Sequence, residues 1–142
     1  ALVKALMDAV KAADALCEVI APKIGGATLS DGTLLPAQQK IDGGPSVLYD
    51  AVAVIVSDEG AALLSKDAPS KDFVADAFAH CKFMGLSPEA KPLLVKAGIA
   101  EDLDDGCMGL QSADDAKAFV AALGPLRFWD RESKVDLDAM TD

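Results

Sequence analysis

Apolar residues recur along the first segment at Leu2, Val3, Leu6, Met7 and Val10, with Lys4, Asp8 and Lys11 between them. That i, i+3, i+4 spacing is one face of an amphipathic helix and predicts a helix from Ala1 to about Ala15. The β-prone run Leu16–Ala21 stops at Pro22 and reads as a strand. Two short extended runs, 27–30 and 33–36, flank Asp31-Gly32, where glycine takes positive φ without steric cost, a hairpin signal. The polar, Gly-rich stretch 38–44 reads as a loop. Ala51–Val56 is continuously apolar and rich in branched residues, which predicts a strand buried on both faces beneath helices.

The second half alternates in the same way. Glu59–Leu64 is a short helical pattern, and Ser70 stands as the N-cap of a helix Lys71–His80 with the stripe Phe73, Val74, Ala77, Phe78 and Cys81. Lys82–Leu86 is a short apolar strand. Ser87-Pro88-Glu89 opens a helix that Gly98 ends, with both Pro88 and Pro92 fitting in or near the first turn. Glu101–Asp105 is an acidic loop and Cys107–Leu110 a strand. Ser112 and Asp115 form a capping-box pattern for a helix through Ala122, closed by Gly124-Pro125. Leu126–Trp129 reads as a last extended piece, and the polar run from Arg131 as a fraying tail.

Alternating strands and helices predict an α/β fold: a doubly wound, mostly parallel sheet with helices on both faces and a small hairpin. The domain is expected over residues 1–130, with 131–142 as the tail. One feature breaks the pattern. The chain opens on a helix whose apolar face requires a strand as its floor, so a first strand is expected upstream and the chain reads as a fragment.

At 142 residues there is room for one domain with a core of its own. The net charge of −10, with no dense Lys/Arg cluster, argues against nucleic acid and against anionic membrane surfaces. No apolar run reaches the roughly 20 residues of a membrane span. Three cysteines without a CxxC spacing exclude a disulfide framework and point to a reducing, cytoplasmic compartment. One histidine, His80, excludes a multi-His metal centre, and no metal is expected.

No dinucleotide, P-loop or GxSxG motif is present. The catalytic candidates are Ser87 and Cys81. Ser87 lies on a strand-to-helix turn, where backbone N–H groups can hold an oxyanion, but it needs a base, and spacing does not bring His80 to it. It reads equally as a turn or N-cap serine. Cys81 lies on an apolar stripe, as do Cys17 and Cys107 in apolar runs, and buried thiols are inert packing. Tyr49 and Trp129 are isolated aromatics. Asp102, Asp104 and Asp105 lack the spacing of a calcium loop.

Three stretches carry a resemblance: Val19-Ile20-Ala21-Pro22-Lys23-Ile24-Gly25-Gly26; Ser30-Asp31-Gly32-Thr33; and Gly44-Pro45-Ser46-Val47-Leu48-Tyr49-Asp50-Ala51-Val52. With His80-Cys81-Lys82 and Arg127-x-Trp129, they resemble the C-terminal domain of large-subunit haem catalases over nearly the whole chain except the tail. The resemblance implies the flavodoxin-like fold shared with class I glutamine amidotransferase-like and DJ-1/PfpI proteins, a fold that starts with a strand. It implies that Ser87 stands where DJ-1/PfpI relatives keep a cysteine nucleophile, with Glu89 where they keep a small residue. It also implies that haem and its ligands belong to another domain, so no cofactor is expected in this chain. The expected role is a non-catalytic accessory module serving subunit stability, assembly or channel access. Its partners would be the catalase core and other subunits of a homo-oligomer. The alternatives are a stand-alone DJ-1/PfpI-type hydrolase or amidotransferase-like enzyme using Ser87 or Cys81, and a chaperone-like binder.

Overall fold

The computed structural model describes residues 2–22, 25–29 and 31–132, with Val47 described in its backbone alone. Lys23, Ile24 and Ser30, which carry parts of the motifs and hairpin above, and residues 133–142 of the tail lie outside the described residues.

Three parallel strands form the sheet: β5 (Ala51–Val54), β6 (Phe83–Leu86) and β7 (Cys107–Gly109), in the order β5-β6-β7. The register sets Val52 beside Met84 and Val54 beside Leu86 on one face, and Ala51 beside Phe83 on the other. Smaller pieces precede it. β1 (Ile20–Ala21) pairs in parallel with β4 (Gln39–Lys40), and β2 (Ala27–Thr28) pairs antiparallel with β3 (Leu34–Leu35). The second pair is the predicted hairpin, with Gly32 at φ +87° and Leu29 N–H donating to Thr33 O at 2.8 Å.

Helices cover both faces. α2 (Asp58–Leu64), α3 (Ala68–Ala79) and α4 (Lys91–Ala97) lie on the side where Val52, Val54, Met84 and Leu86 pack with Val74, Phe78, Leu93 and Ile99. α1 (Leu2–Ala12) and α5 (Ala113–Ala121) close the other, where Leu6 and Phe119 meet Phe83 and Leu110. Ser57 caps α2 by accepting from Gly60 N–H, and Ser112 caps α5 by accepting from Asp115 N–H. The Asp115 carboxylate accepts from Gln111 N–H, so the capping reciprocity lands one residue before the cap. Gly98 ends α4 at φ +82°.

Several expectations are corrected. The central strand is β6, with all four residues buried. In β5 Ala53 is exposed, because α1 and α5 do not cover that position. Leu16–Glu18 is exposed and outside any strand, since only Ile20 and Ala21 find a ladder partner. That partner, Gln39–Lys40, lies in the stretch read as loop: a two-residue exposed strand has no apolar periodicity to announce it. Asp67, not Ser70, caps α3, accepting from Ser70 N–H at 3.2 Å and Ser70 Oγ at 2.5 Å. Leu126–Trp129 is not extended. Leu126 turns at φ +69°, and Trp129–Arg131 form a 3₁₀ turn.

Gly85 marks how tightly one face is packed. A Cβ there would meet Leu110 Cδ1 at 2.6 Å and Phe119 Cε2 at 3.3 Å. Gly85→Val is expected to destabilise by ~1–3 kcal/mol through overpacking, lowering the urea midpoint with the slope unchanged.

Candidate functional site

Ser87 follows the last residue of β6 and is 5% exposed. Its N–H donates to Val54 O at 2.9 Å, and its Oγ accepts from Val56 N–H at 3.1 Å. The hydroxyl therefore ties the exit of β5 to the start of the next helical segment, Pro88–Ala90 and then α4. Two cavities flank Pro88 at the carboxyl ends of the strands. One, about 250 Å³, lies between Leu86, Leu94, Leu103 and Met108. The other, about 410 Å³, is bounded by Leu2, Ile55, Glu89 and Gln111.

His80 and Cys81 lie at the opposite end of β6, on the order of 13 Å of strand away. His80 is exposed and caps the C-terminus of α3. Cys81 is 4% exposed at φ +60°, and burial pushes its thiol pKa up, the reverse of an activated nucleophile. The structure thus separates Ser87 from His80, the one histidine, and from Cys81, the other candidate nucleophile. Cys17 is exposed, and Cys107 is half-buried with its thiol also pushed up by burial. Asp102 and Asp105 are exposed, and Asp104 is committed to Arg131. Among the described residues no group of three His, Cys, Asp or Glu side chains could hold a metal.

The polar chemistry gathers instead at the amino ends of the strands. Arg131, placed by sequence at the head of a fraying tail, is fully buried. Its Nε donates to Asp104 Oδ2 at 2.7 Å and its Nη2 to Asp104 Oδ1 at 2.8 Å, a bidentate fork. Nη1 donates to the carbonyls of Phe78 at 3.1 Å and Lys82 at 3.0 Å, and the guanidinium lies 4.3 Å from the Phe78 ring centroid. Beside it, Lys82 is 1% exposed and donates to the Ser46 carbonyl, and burial and then Arg127 hold its pKa below the usual lysine range. Ser46 Oγ is buried with no hydrogen-bond partner among the described residues. Arg127 pairs with Asp50 at 3.3 Å, and Tyr49 donates to Glu18 Oε2 at 2.6 Å. The short motifs around Ser46–Asp50, His80–Lys82 and Arg127–Trp129 therefore meet at one end of the sheet, away from Ser87.

Sequence reasoning missed Arg131, Asp104, Lys82 and Ser46. Lys82 had a signal, a charge entering a continuously apolar run. Arg131 had none, standing among other charged residues.

His80 and Tyr49, two side-chain types that ligate haem iron, line neither cavity. Cys107 lines the smaller one with its Sγ already accepting from Arg131 Nη2 at 3.4 Å.

Three outcomes follow from this geometry. Ser87→Ala strands the Val56 N–H and is expected to cost about 1 kcal/mol in urea unfolding. Arg131→Ala removes the fork to the half-buried Asp104 and takes the donor from the buried Phe78 and Lys82 carbonyls, and is expected to cost about 3–5 kcal/mol. Tyr49 is the only tyrosine, so an absorbance titration reads it alone. Burial, then the hydrogen bond to and the charge of Glu18, push its pKa up to about 12. A raised folded pKa means this stabilisation is complete below about pH 10 and is lost as pH rises through about 12. Glu18→Gln should bring the midpoint down; a midpoint near the ordinary tyrosine value in the parent chain contradicts the contact.

Comparisons with known proteins show the family of the chain and its likeness of fold. A family model described as the C-terminal domain found in long catalases matches residues 1–133. "Catalase C" of Rhizobium meliloti (strain 1021) is 53% identical over 137 residues, which cover 96% of this chain and 19% of that protein. "Catalase HPII" of Mycobacterium avium is 36% identical over 135 residues, covering 84% of this chain and 19% of that protein. The chain thus spans about a fifth of the length of the curated relatives it matches. The structure of Schizosaccharomyces pombe DJ-1 superposes with a TM-score of 0.68 at 13% identity, covering 96% of this chain and 90% of that one, a likeness of fold. The chain belongs to the family of C-terminal domains found in long catalases.

Proposed function

We propose that this chain is a non-catalytic accessory domain of a large-subunit catalase. Hydrogen peroxide is disproportionated by haem held elsewhere in that polypeptide, and this domain supports subunit stability, assembly or channel access. Its partners on this reading are the catalase core and neighbouring subunits of a homo-oligomer in the cytoplasm. The observation that carries the reading is the disposition of the polar side chains. The Ser87 hydroxyl is bonded to Val56, His80 and Cys81 lie at the other end of β6, and the buried charges are consumed in holding strand ends together. Family membership supports it further. Among the described residues no helix is long and apolar enough to cross a membrane.

A second reading, a DJ-1/PfpI-type hydrolase at Ser87, draws on the two cavities beside that residue. Among the described residues the Ser87 hydroxyl is hydrogen-bonded to Val56 N–H and O and to no side-chain base that would take the serine proton.

The purified chain is expected to show no haem absorption band after incubation with haem, no peroxide consumption, and no ester or amide hydrolysis sensitive to Ser87→Ala. Peroxide consumption by the chain alone overturns the accessory reading, and hydrolysis abolished by Ser87→Ala establishes the second.

A further inference from the structure

The segment from Leu126 to Glu132 crosses the amino ends of β6 and β7 as a strap, and its attachment is uneven. Leu126 is 55% and Trp129 60% exposed, and Asp130 and Glu132 are exposed as well. Arg131 alone in the segment is buried. Phe128 assists it, with its N–H donating to Cys81 O at 2.6 Å and its ring edge-on to Phe83 at 5.9 Å. The floor is shaped to these two residues: a Cβ on Gly106 would meet Phe128 Cγ at 2.6 Å and Arg131 Nη2 at 2.8 Å. Arg131 N–H donates to Phe128 O, a bond internal to the strap that adds nothing to its hold on the sheet. Against the seated strap lies Cys81, 4% exposed, in the left-handed region, with its carbonyl taken by Phe128 and its thiol within the field of Arg131.

We propose that this strap is a conformational device with Arg131 as its buckle. It opens as a unit while the sheet remains folded, and this opening is the route by which Cys81 reaches solvent. The physical reason is the distribution of contacts. The sheet and its helices are joined by the apolar packing of two clusters, whereas the strap is joined through two guanidiniums, the buried one of Arg131 and the half-buried one of Arg127 on Asp50, one backbone hydrogen bond to Cys81 and one half-buried ring, Phe128, at the margin of the second cluster. Segments with few buried apolar contacts open locally, below the free energy of global unfolding. Cys17, exposed in the closed state, differs from Cys81 in needing no opening.

The test is pulsed alkylation with iodoacetamide on the full polypeptide that carries this chain, read peptide by peptide by mass spectrometry. Cys17 serves as the standard of intrinsic reactivity, and hydrogen exchange of the β6 amides reports global opening. In the parent chain Cys81 labelling is expected to rise with urea less steeply than β6 exchange. Arg131→Lys keeps the charge and removes the fork, and is expected to speed Cys81 labelling about tenfold or more. Leu93→Val weakens a core contact retained in the strap-open state, so it should speed β6 exchange and leave Cys81 labelling unchanged. Equal urea slopes for Cys81 and β6 overturn the proposal. So does Cys81 labelling that ignores Arg131→Lys, or that follows Leu93→Val in step with β6.

Discussion

A strand with every residue buried and a neighbour on each edge can meet water only at its two ends. Phe83–Leu86 is such a strand, and the rest of the fold is arranged around closing it. Its faces are closed by apolar packing, which is tolerant of detail. Its ends expose backbone groups that must be bonded, and these are closed by particular polar side chains. At the amino end, Arg131 takes the carbonyls of Phe78 and Lys82 while Asp104 neutralises its charge, and Lys82 reaches the Ser46 carbonyl. At the carboxyl end, Ser87 bonds back to the exit of β5. Removing an end closure strands buried polar atoms, so these few residues matter more than their number implies.

The same constraint bears on function. Ser87 and Arg131, two side chains that could carry chemistry, are among those that close the strand. A serine whose hydroxyl accepts a backbone N–H, and an arginine whose donors reach a carboxylate and two carbonyls, are spent on structure. The fold is shared with S. pombe DJ-1 at 13% identity, a level at which architecture carries over and chemistry does not. The chain belongs to the family of C-terminal domains found in long catalases, and its buried charges hold strand ends together.

The layered α/β architecture was legible because it rests on periodicity: the stripe of α1, the apolar runs of β5 and β6, and the turn at Asp31-Gly32 are all local patterns. Short elements were not. Gln39–Lys40 is a strand only because Ile20–Ala21 lies beside it, and Asp67 and Ser70 are both N-cap residue types three positions apart, so residue type alone does not decide which of them caps α3. The polar cluster at the amino ends was legible as motifs, but not as a site. The pairing of Arg131 with Asp104 spans 27 residues of sequence, and nothing local marks either residue as buried. Ser87 was placed correctly on its turn, while the partner of its hydroxyl, a backbone amide 31 residues away, had no signature.

On the function proposed above, this domain supports a catalase without taking part in its chemistry. The direct measurement is the peroxide turnover per haem and the thermal half-life of the full polypeptide, with and without these 142 residues. Turnover per haem is expected to stay within about twofold, as the loss of no transition-state contact requires, while the half-life at elevated temperature shortens. A large fall in turnover per haem with an unchanged half-life would contradict it, and would move the search for chemistry back to the cavities beside Ser87.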